Sequence, residues 1–516
     1  MTSGVARNHI NEGDLDNLCA FNYHIAEGTS NARYENFRYL FPHKITLASR
    51  WRTKKRIATL SGLKPGRVDR CPGGCCCFAG TYASLKVCPY CERARYKDGE
   101  VPIKQFQFLP VKGQLQVMLR DKTISKQLKY RHTYAHTGDR DDNVIRDVFD
   151  SSNYRDLVEK QVVVDGKTQK HKYFSDPRDV ALGISLDGMT YFSRRQHAVW
   201  PVILVNYNLP PKVRTHRDRI ICYGVIPGTV KNLDSYLVPL RDELNELAKD
   251  GVEALDPWTE ELFWQHVYLI LGFGDYPGIS KLIQMKGHNG LHPCRFCEII
   301  GVRAEGGKVY YVPLYRPGGS VDPADLLMRS HTRFIQQGTA VLEAGTNAES
   351  ERLAKDSGVK GVPLLASLDS LNFPFSFPFD SMHLIFENLI PNLIRHYTGT
   401  FKDLDTGIED YKLTGDVWSE ICKAGSASGD TIPSPFGSRM PNIETERSSV
   451  TAEAWGFWSM YLAPILLRNR FSRQRYYDHF LKLIRLVHKC ISFELKRSEV
   501  SEIRQGFQDW VLEYEE

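Results

Sequence analysis

Residues 265–297, QHVYLILGFGDYPGISKLIQMKGHNGLHPCRFC, combine two kinds of metal-ligating chemistry in one stretch. An apolar run rich in β-branched and aromatic residues stops at Asp275, and Cys294 and Cys297 follow at Cys-x-x-Cys spacing behind His288 and His292. A carboxylate at the tip of a buried strand suits a hard cation such as Mg²⁺, whereas a thiolate pair suits the softer Zn²⁺. The pair supplies only half of a tetrahedral site. His383, in Asp380-Ser-Met-His383, is the expected third ligand, with His288 or His292 as a possible fourth.

A second thiol cluster lies in CPGGCCCFAGTYASLKVCPYC. Cys71 and Cys75 form one pair and Cys88 and Cys91 the other, close enough to wrap a structural Zn²⁺. Pro72, Gly73, Gly74 and Pro89 favour tight knuckle turns, and Cys76 and Cys77 leave the register of the first pair open. The chain has 516 residues, 12 of them cysteine, a net charge of +6 and 42% hydrophobic residues, which fits a multidomain globular protein. The polar N-terminus lacks the apolar core of a signal peptide, and no apolar run reaches the ~18 residues of a membrane span, so clustered cysteines point to metal rather than disulfides. Residues 44–70 carry nine Lys or Arg against one acid; this reads equally as a phosphate-binding segment or as a solvated basic face. There is no phosphate-cradling GxxxxGK[ST] loop, which argues against ATP use.

The elements that must position these residues begin at 181. ALGISLDG reads as a strand ending at Asp187, AVWPVILVNYNLP as a second and RIICYGVIPG as a third. NLDSYLVPLRDELNELAKDG then has helical period, with Leu233, Leu237, Leu240, Leu244 and Leu247 on one face, Asp234 as the expected cap and Gly251 as the stop. HVYLILGFGD is a fourth strand. Three strands, a helix and a strand is the order of a ribonuclease-H-like core, in which the first and fourth strands are neighbours; Asp187 and Asp275 are then expected side by side. Upstream, VVVDGKTQK reads as a hairpin and the rest of 103–180 as helical and connecting. Downstream, 298–370 reads as a loop-rich insertion, Asp380 as the cap of an apolar helix carrying His383, and Thr451 as the cap of a buried helix with Glu453 in its first turn. The closing segment shows no stop signal, as expected of a fragment of a longer protein.

CPGGCCCFAG with CPYCERARY, LGISLDGMTYF, GFGDYPG with GHNGLHPCRFC, FDSMHLIFENLIP, TIPSPFG and TAEAWGFWSMYLAPILL occur in this order over about residues 70–490. In this series the chain resembles the Tnp2 family, the transposases of CACTA (En/Spm-type) DNA transposons. The resemblance implies an α/β, ribonuclease-H-like DDE/D core, interrupted by a helical and loop-rich insertion and preceded by a small zinc-ribbon-like module. It implies catalytic acids at Asp187, Asp275 and Glu453, with Glu387, Glu444 and Glu446 competing for the third place. Mg²⁺ or Mn²⁺ would sit at these acids and structural Zn²⁺ at the cysteines. The implied partners are double-stranded DNA, as transposon terminal repeats and target, and further copies of the chain, in the nucleus and away from membranes. The expected divisions are 1–70 basic segment, 71–100 zinc module, 101–180 helical connection, 181–297 first part of the core, 298–450 insertion and 451–516 closing helices. The extra cysteines at 76–77 depart from the family pattern.

Overall fold

A computed structural model describes residues 10–40, 47–136, 141–192, 195–228, 230–303, 307, 309–401, 408–433 and 439–516. Residues 434–437 of the TIPSPFG stretch and 44–46 of the basic segment lie outside these. Three helices open the chain: α1 (Glu12–Ala26), α2 (Asn31–Leu40) and α3 (Arg50–Ser61). A mixed seven-stranded sheet then dominates, made of β1 (Gly66–Asp69), β2 (Gln105–Phe108), β3 (Val180–Leu186), β4 (Met189–Phe192), β5 (Arg195–Asn206), β6 (Ile221–Pro227) and β7 (Val267–Phe273). Its order is β1-β2-β6-β5-β3-β7, with β4 pairing β5 as a hairpin.

β3 and β7 lie side by side and run parallel; β3–β5 and β5–β6 are antiparallel. Both β3 and β7 are almost wholly buried, which is why each reads as an unbroken apolar run rather than an alternation. One face of the sheet is covered by α4 (Asp234–Lys249), whose Leu237, Leu240, Leu244 and Leu247 are at most 1% exposed. The other carries an aromatic layer of Phe149, Tyr154, Tyr173 and Tyr268. The expected hairpin spans Gln161–Val164 and Lys167–Lys172, with Asp165 and Gly166 both at positive φ in the turn.

Two strands join the sheet from outside the expected core. β1 and β2 flank the cysteine-rich module and extend the β6 edge, where β2 reaches β6 at Phe108↔Gly224. Residues of the expected insertion, Phe334, Val359, Leu365, Phe373 and Phe377, share the core of the sheet. A separate helical core gathers Ile390, Trp418, Trp455, Trp458, Phe480, Leu483 and Trp510. The helices after residue 451, including α8 (Gln474–Cys490) and α9 (Arg497–Glu515), pack there, because their apolar stripes meet those of residues 385–443 and not the sheet.

Asp234 does not cap α4. Leu233 occupies the cap position, and Asp234 is the first helical residue, receiving a hydrogen bond from Gln284 Nε2 (2.8 Å). Burial pushes its carboxyl up to about 6, against a partial opposing pull from Gln284 and Lys360. The folded protein therefore binds this proton more tightly than the unfolded chain, whose Asp titrates near about 3.9, and stability falls as pH rises from about 4 to 6. Asp234→Asn is expected to leave stability unchanged below pH 4 and to raise it by about 2 kcal/mol at pH 8. Urea titrations at the two pH values check this; an equal effect at both would contradict it.

Candidate active site and cysteine centre

The parallel register of β3 and β7 ends at Ser185↔Phe273. Asp187 and Asp275 each follow two residues later, so both leave the same end of the sheet on adjacent strands, which lie about 4.8 Å apart. The glycines of GFGDYPG make this approach possible. Gly274 has φ +154°, and a Cβ there would meet the Leu186 carbonyl oxygen at 2.7 Å. A Cβ at Gly278 would lie 3.0 Å from the same oxygen and 2.5 Å from Asp275 Oδ1. Asp275 is the N-cap of α5 (Tyr276–Leu282) and accepts a 2.6 Å hydrogen bond from the Gly278 N–H, so one carboxylate oxygen is fixed in direction. Asp187 is exposed; the next residue, Gly188, lies against Trp200, over which Lys281 Nζ sits at 4.2 Å.

Asp275 opens onto a cavity of about 640 Å³ lined also by His288, Cys294, Arg295, Asp380 and His383. Arg295 is 2% exposed, sandwiched between the Tyr276 and Phe379 rings at 4.8 Å each, and donates to the Phe377 carbonyl. His383 stands on α6 (Met382–Leu389), which has the wide turns of a π-helix. Asn388 Nδ2 donates to the His383 carbonyl, and Pro391, just beyond, lacks the N–H that would continue an α-helical ladder. Ser381, not the expected Asp380, stands at the cap position of α6; Asp380, one residue earlier, accepts from the Met382 N–H through Oδ1 and holds His383 Nδ1 at 2.7 Å through Oδ2. His383 Nε2 faces Glu387 at 3.8 Å. Burial opposes the charged ring, but Asp380, Glu387 and Asp275 together hold its pKa above the usual histidine value.

Cys294 accepts hydrogen bonds from the N–H groups of Phe296 and Cys297 at 3.3 and 3.4 Å, a knuckle around one sulfur. The Cys297 thiol and these amides, with Arg329 nearby, draw the Cys294 thiol down to about 6. His383, expected as a ligand with this pair, has carboxylates at both ring nitrogens instead. Of the two candidates for a fourth ligand, His288 lines the cavity and His292 points Nδ1 at the Glu298 carbonyl at 3.0 Å. Cys294, Cys297 and His383 thus border one region without closing to ligand spacing among the described residues.

The first cysteine cluster does close. The sulfurs of Cys71, Cys75, Cys88 and Cys91 lie within 4.8 Å of one another, the only such group of three or more candidate ligands among the described residues. Four sulfurs at ~2.3 Å from one Zn²⁺ would stand about 3.8 Å apart, and Cys71 and Cys91 are already at 3.4 Å. The turns Cys71–Gly74 and Cys88–Glu92 bring each pair inward, Gly74 and Glu92 adopting φ of +81° and +57°. The register is settled: Cys75 belongs to the four, Cys76 lies beside Cys88 at 3.9 Å, and Cys77 joins the core of the sheet. Burial pushes the Cys71 and Cys75 thiols up, while the Arg93 N–H draws the exposed Cys91 down to about 7. Such a donor set fits a soft cation, which lets buried thiolates share one compensating charge.

Glu453 is exposed in the first turn of α7 (Ala452–Phe457), capped by Thr451. It lines a separate hollow with Ser381, Met382 and Phe386, whereas Asp380, His383 and Leu384 face the Asp275 cavity. The two hollows lie on different faces of α6. Among the residues named from sequence, the structure thus brings together Asp187 with Asp275 and the four zinc-module cysteines, and sets Glu453 across a helix. Sequence reasoning missed the ionic coupling of His383 to Asp380 and Glu387, although their i, i+3 and i, i+4 spacing on one helix carries that signal.

No helix of the described residues is long and apolar enough to cross a membrane. No curated protein matches the chain at a significant level. Residues 142–316, which include both strand-end aspartates and the Cys294/Cys297 pair but stop short of His383 and Glu453, match the family model described as transposase family tnp2, and this segment is therefore similar to those transposases.

Proposed function

We propose that the chain is a DDE/D transposase of the CACTA type, with a ribonuclease-H-like core, that cuts and joins phosphodiester bonds at transposon ends. The observation that carries this reading is the parallel β3–β7 register, which sets Asp187 and Asp275 at one sheet end inside the segment similar to transposases. The order β6-β5-β3-β7, third-second-first-fourth of the four core strands, supports the fold assignment.

Carboxylates at the ends of adjacent strands, Asp187 exposed and Asp275 half-buried, suit Mg²⁺ or Mn²⁺, which would polarise the scissile phosphate and the attacking oxygen. Asp187 and Asp275 would hold these cations, with one oxygen of Asp275 already directed by the Gly278 amide. Glu453 is the third acid in this reading, from the hollow on the other face of α6. Glu387, 3.8 Å from His383 on α6, is its competitor. The cysteine module would hold Zn²⁺ and brace the sheet edge. The substrate is double-stranded DNA, the assembly a homo-oligomer and the compartment the nucleus. One observation favours a second reading, a zinc-dependent DNA-binding protein without catalysis: Glu453 and Asp275 line different hollows.

Mg²⁺-dependent nicking of plasmid DNA tests both. Glu453→Gln is expected to lower the rate at least about 100-fold and Glu387→Gln less than about tenfold, since loss of a metal ligand removes several kcal/mol of transition-state stabilisation. The reverse ranking would transfer the third role to Glu387. No nicking by the unaltered protein, with DNA binding retained, would establish the second reading.

A further inference from the structure

α3 carries Arg50, Arg52, Lys54, Lys55 and Arg56 among its twelve residues and no acid. It starts at a Ser49 cap and stops at Gly62, whose φ of +69° ends the helix in the left-handed conformation. At 100° per residue, Lys54, Ala58, Trp51, Lys55, Thr59 and Arg52 fall on one continuous face of about 160°, and all six are exposed.

The opposite face is built into a three-helix unit. Thr53, 2% exposed, receives the Tyr34 hydroxyl at 3.3 Å and donates to Asn17 at 3.2 Å. Arg56 binds Asp14 through two hydrogen bonds of 2.8 and 2.7 Å. Glu35 takes Arg38 and the backbone N–H of Arg50. The acids that touch α3 are thus engaged by its inner face. On the outer face no carboxylate among the described residues pairs with Arg52, Lys54 or Lys55. Trp51 is 68% exposed there, with Lys55 Nζ 5.1 Å from its ring centre.

We propose that α3 is the helix with which this chain grips duplex DNA, its outer face lying in the major groove. A twelve-residue helix is about 18 Å long and fits a groove ~12 Å wide. Arg52, Lys54 and Lys55 answer the phosphates on either wall, and the exposed Lys64 and Arg67 beyond Gly62 extend the same charge along the backbone. Trp51 supplies an apolar edge for base contacts at the centre of the face. A third helix presented by two supporting helices is a geometry that places side chains in that groove. The inference rests on the reading that the substrate is DNA, and assigns the gripping surface to a part of the chain far in sequence from the aspartates.

The test uses the full zinc-containing chain without Mg²⁺, a fluorescent random 30-base-pair duplex pool and KCl from 50 to 200 mM. Arg52→Gln/Lys54→Gln/Lys55→Gln is expected to bind at least about tenfold more weakly at 100 mM and to lower the slope of log K against log[KCl] by about 2.7, three phosphate contacts' worth. All three side chains are exposed, so zinc content and melting temperature should not change. Trp51→Ala is expected to abolish the preference for duplexes selected from the pool while leaving the salt slope intact. An unchanged affinity and slope in the triple variant would overturn the proposal, as would polyglutamate displacing the chain as effectively as DNA, which would mark an acidic-protein surface. Asp275→Asn should bind DNA normally. If the unaltered chain fails to nick DNA yet binds through α3, only the catalytic reading falls; if the triple variant binds and nicks normally, only this inference does.

Discussion

Asp275→Asn is expected to lower Mg²⁺-dependent nicking of plasmid DNA by at least about 10³-fold, roughly 4 kcal/mol in the barrier. The substitution separates charge from structure. Asn is as good an N-cap as Asp, so its side-chain oxygen can still accept from the Gly278 N–H and the start of α5 is kept. What disappears is the negative charge that a hard cation needs beside Asp187. Stability in urea should stay within about 0.5 kcal/mol of the unaltered protein, as for a substitution that keeps its hydrogen bond. Asp187→Asn should act similarly, and the double variant should be no worse than either single one, because ligands of one metal pair fail as a unit. Retained nicking in Asp275→Asn, with the fold intact, would remove this aspartate from the chemistry.

Cys88→Ala is expected to release about one equivalent of zinc and to loosen the sheet edge by several kcal/mol, within the ~10–16 kcal/mol that structural zinc contributes in small domains. The module is stitched to the rest of the protein at definite points. The Cys75 carbonyl accepts from the N–H groups of Lys231 and Asn232, and the Tyr236 hydroxyl donates to the Gly74 carbonyl at 3.1 Å. The Cys77 N–H donates to Ser235 Oγ at 3.0 Å, and Arg95 pairs with Asp69 of β1 at 2.9 Å. Losing the metal should therefore expose β1 and β2 to hydrogen exchange before β3 and β7. Cys76→Ala is the control. Cys76 is as buried as Cys88 and 3.9 Å from it, but stands outside the four, so its loss should cost packing and leave zinc content unchanged. Equal zinc loss in both variants would reassign the ligand set.

The parts of this fold legible in sequence are those where one local signal has one solution. β3 and β7 are apolar on both faces, the α4 leucines repeat at helical spacing, and the Asp165-Gly166 turn admits a two-residue hairpin. Cysteine pairs at knuckle spacing likewise identified the cluster, and only the neighbouring Cys76 and Cys77 blurred its register. Signals that depend on distant partners were not readable. β1 and β2 are four residues each, and β2 meets β6 more than a hundred residues away. β4 is only four residues, MTYF, followed by the polar SRRQH, too short a run to mark a strand. Asp234 looks like a cap because its type and place are right, but Leu233 takes the cap position and Asp234 is a buried first-turn residue whose carboxyl burial pushes up. His383 looks like a partner for two thiols, but Asp380 just before its helix and Glu387 on it lie at the ring nitrogens instead.

The most direct test of the account is where a divalent cation binds. In crystals of the full chain soaked in Mn²⁺, an anomalous peak is expected within coordination distance, about 2.1 Å, of carboxylate oxygens from both Asp187 and Asp275. A peak absent from these two residues, with the crystal otherwise intact and Mn²⁺ at millimolar concentration, would contradict it.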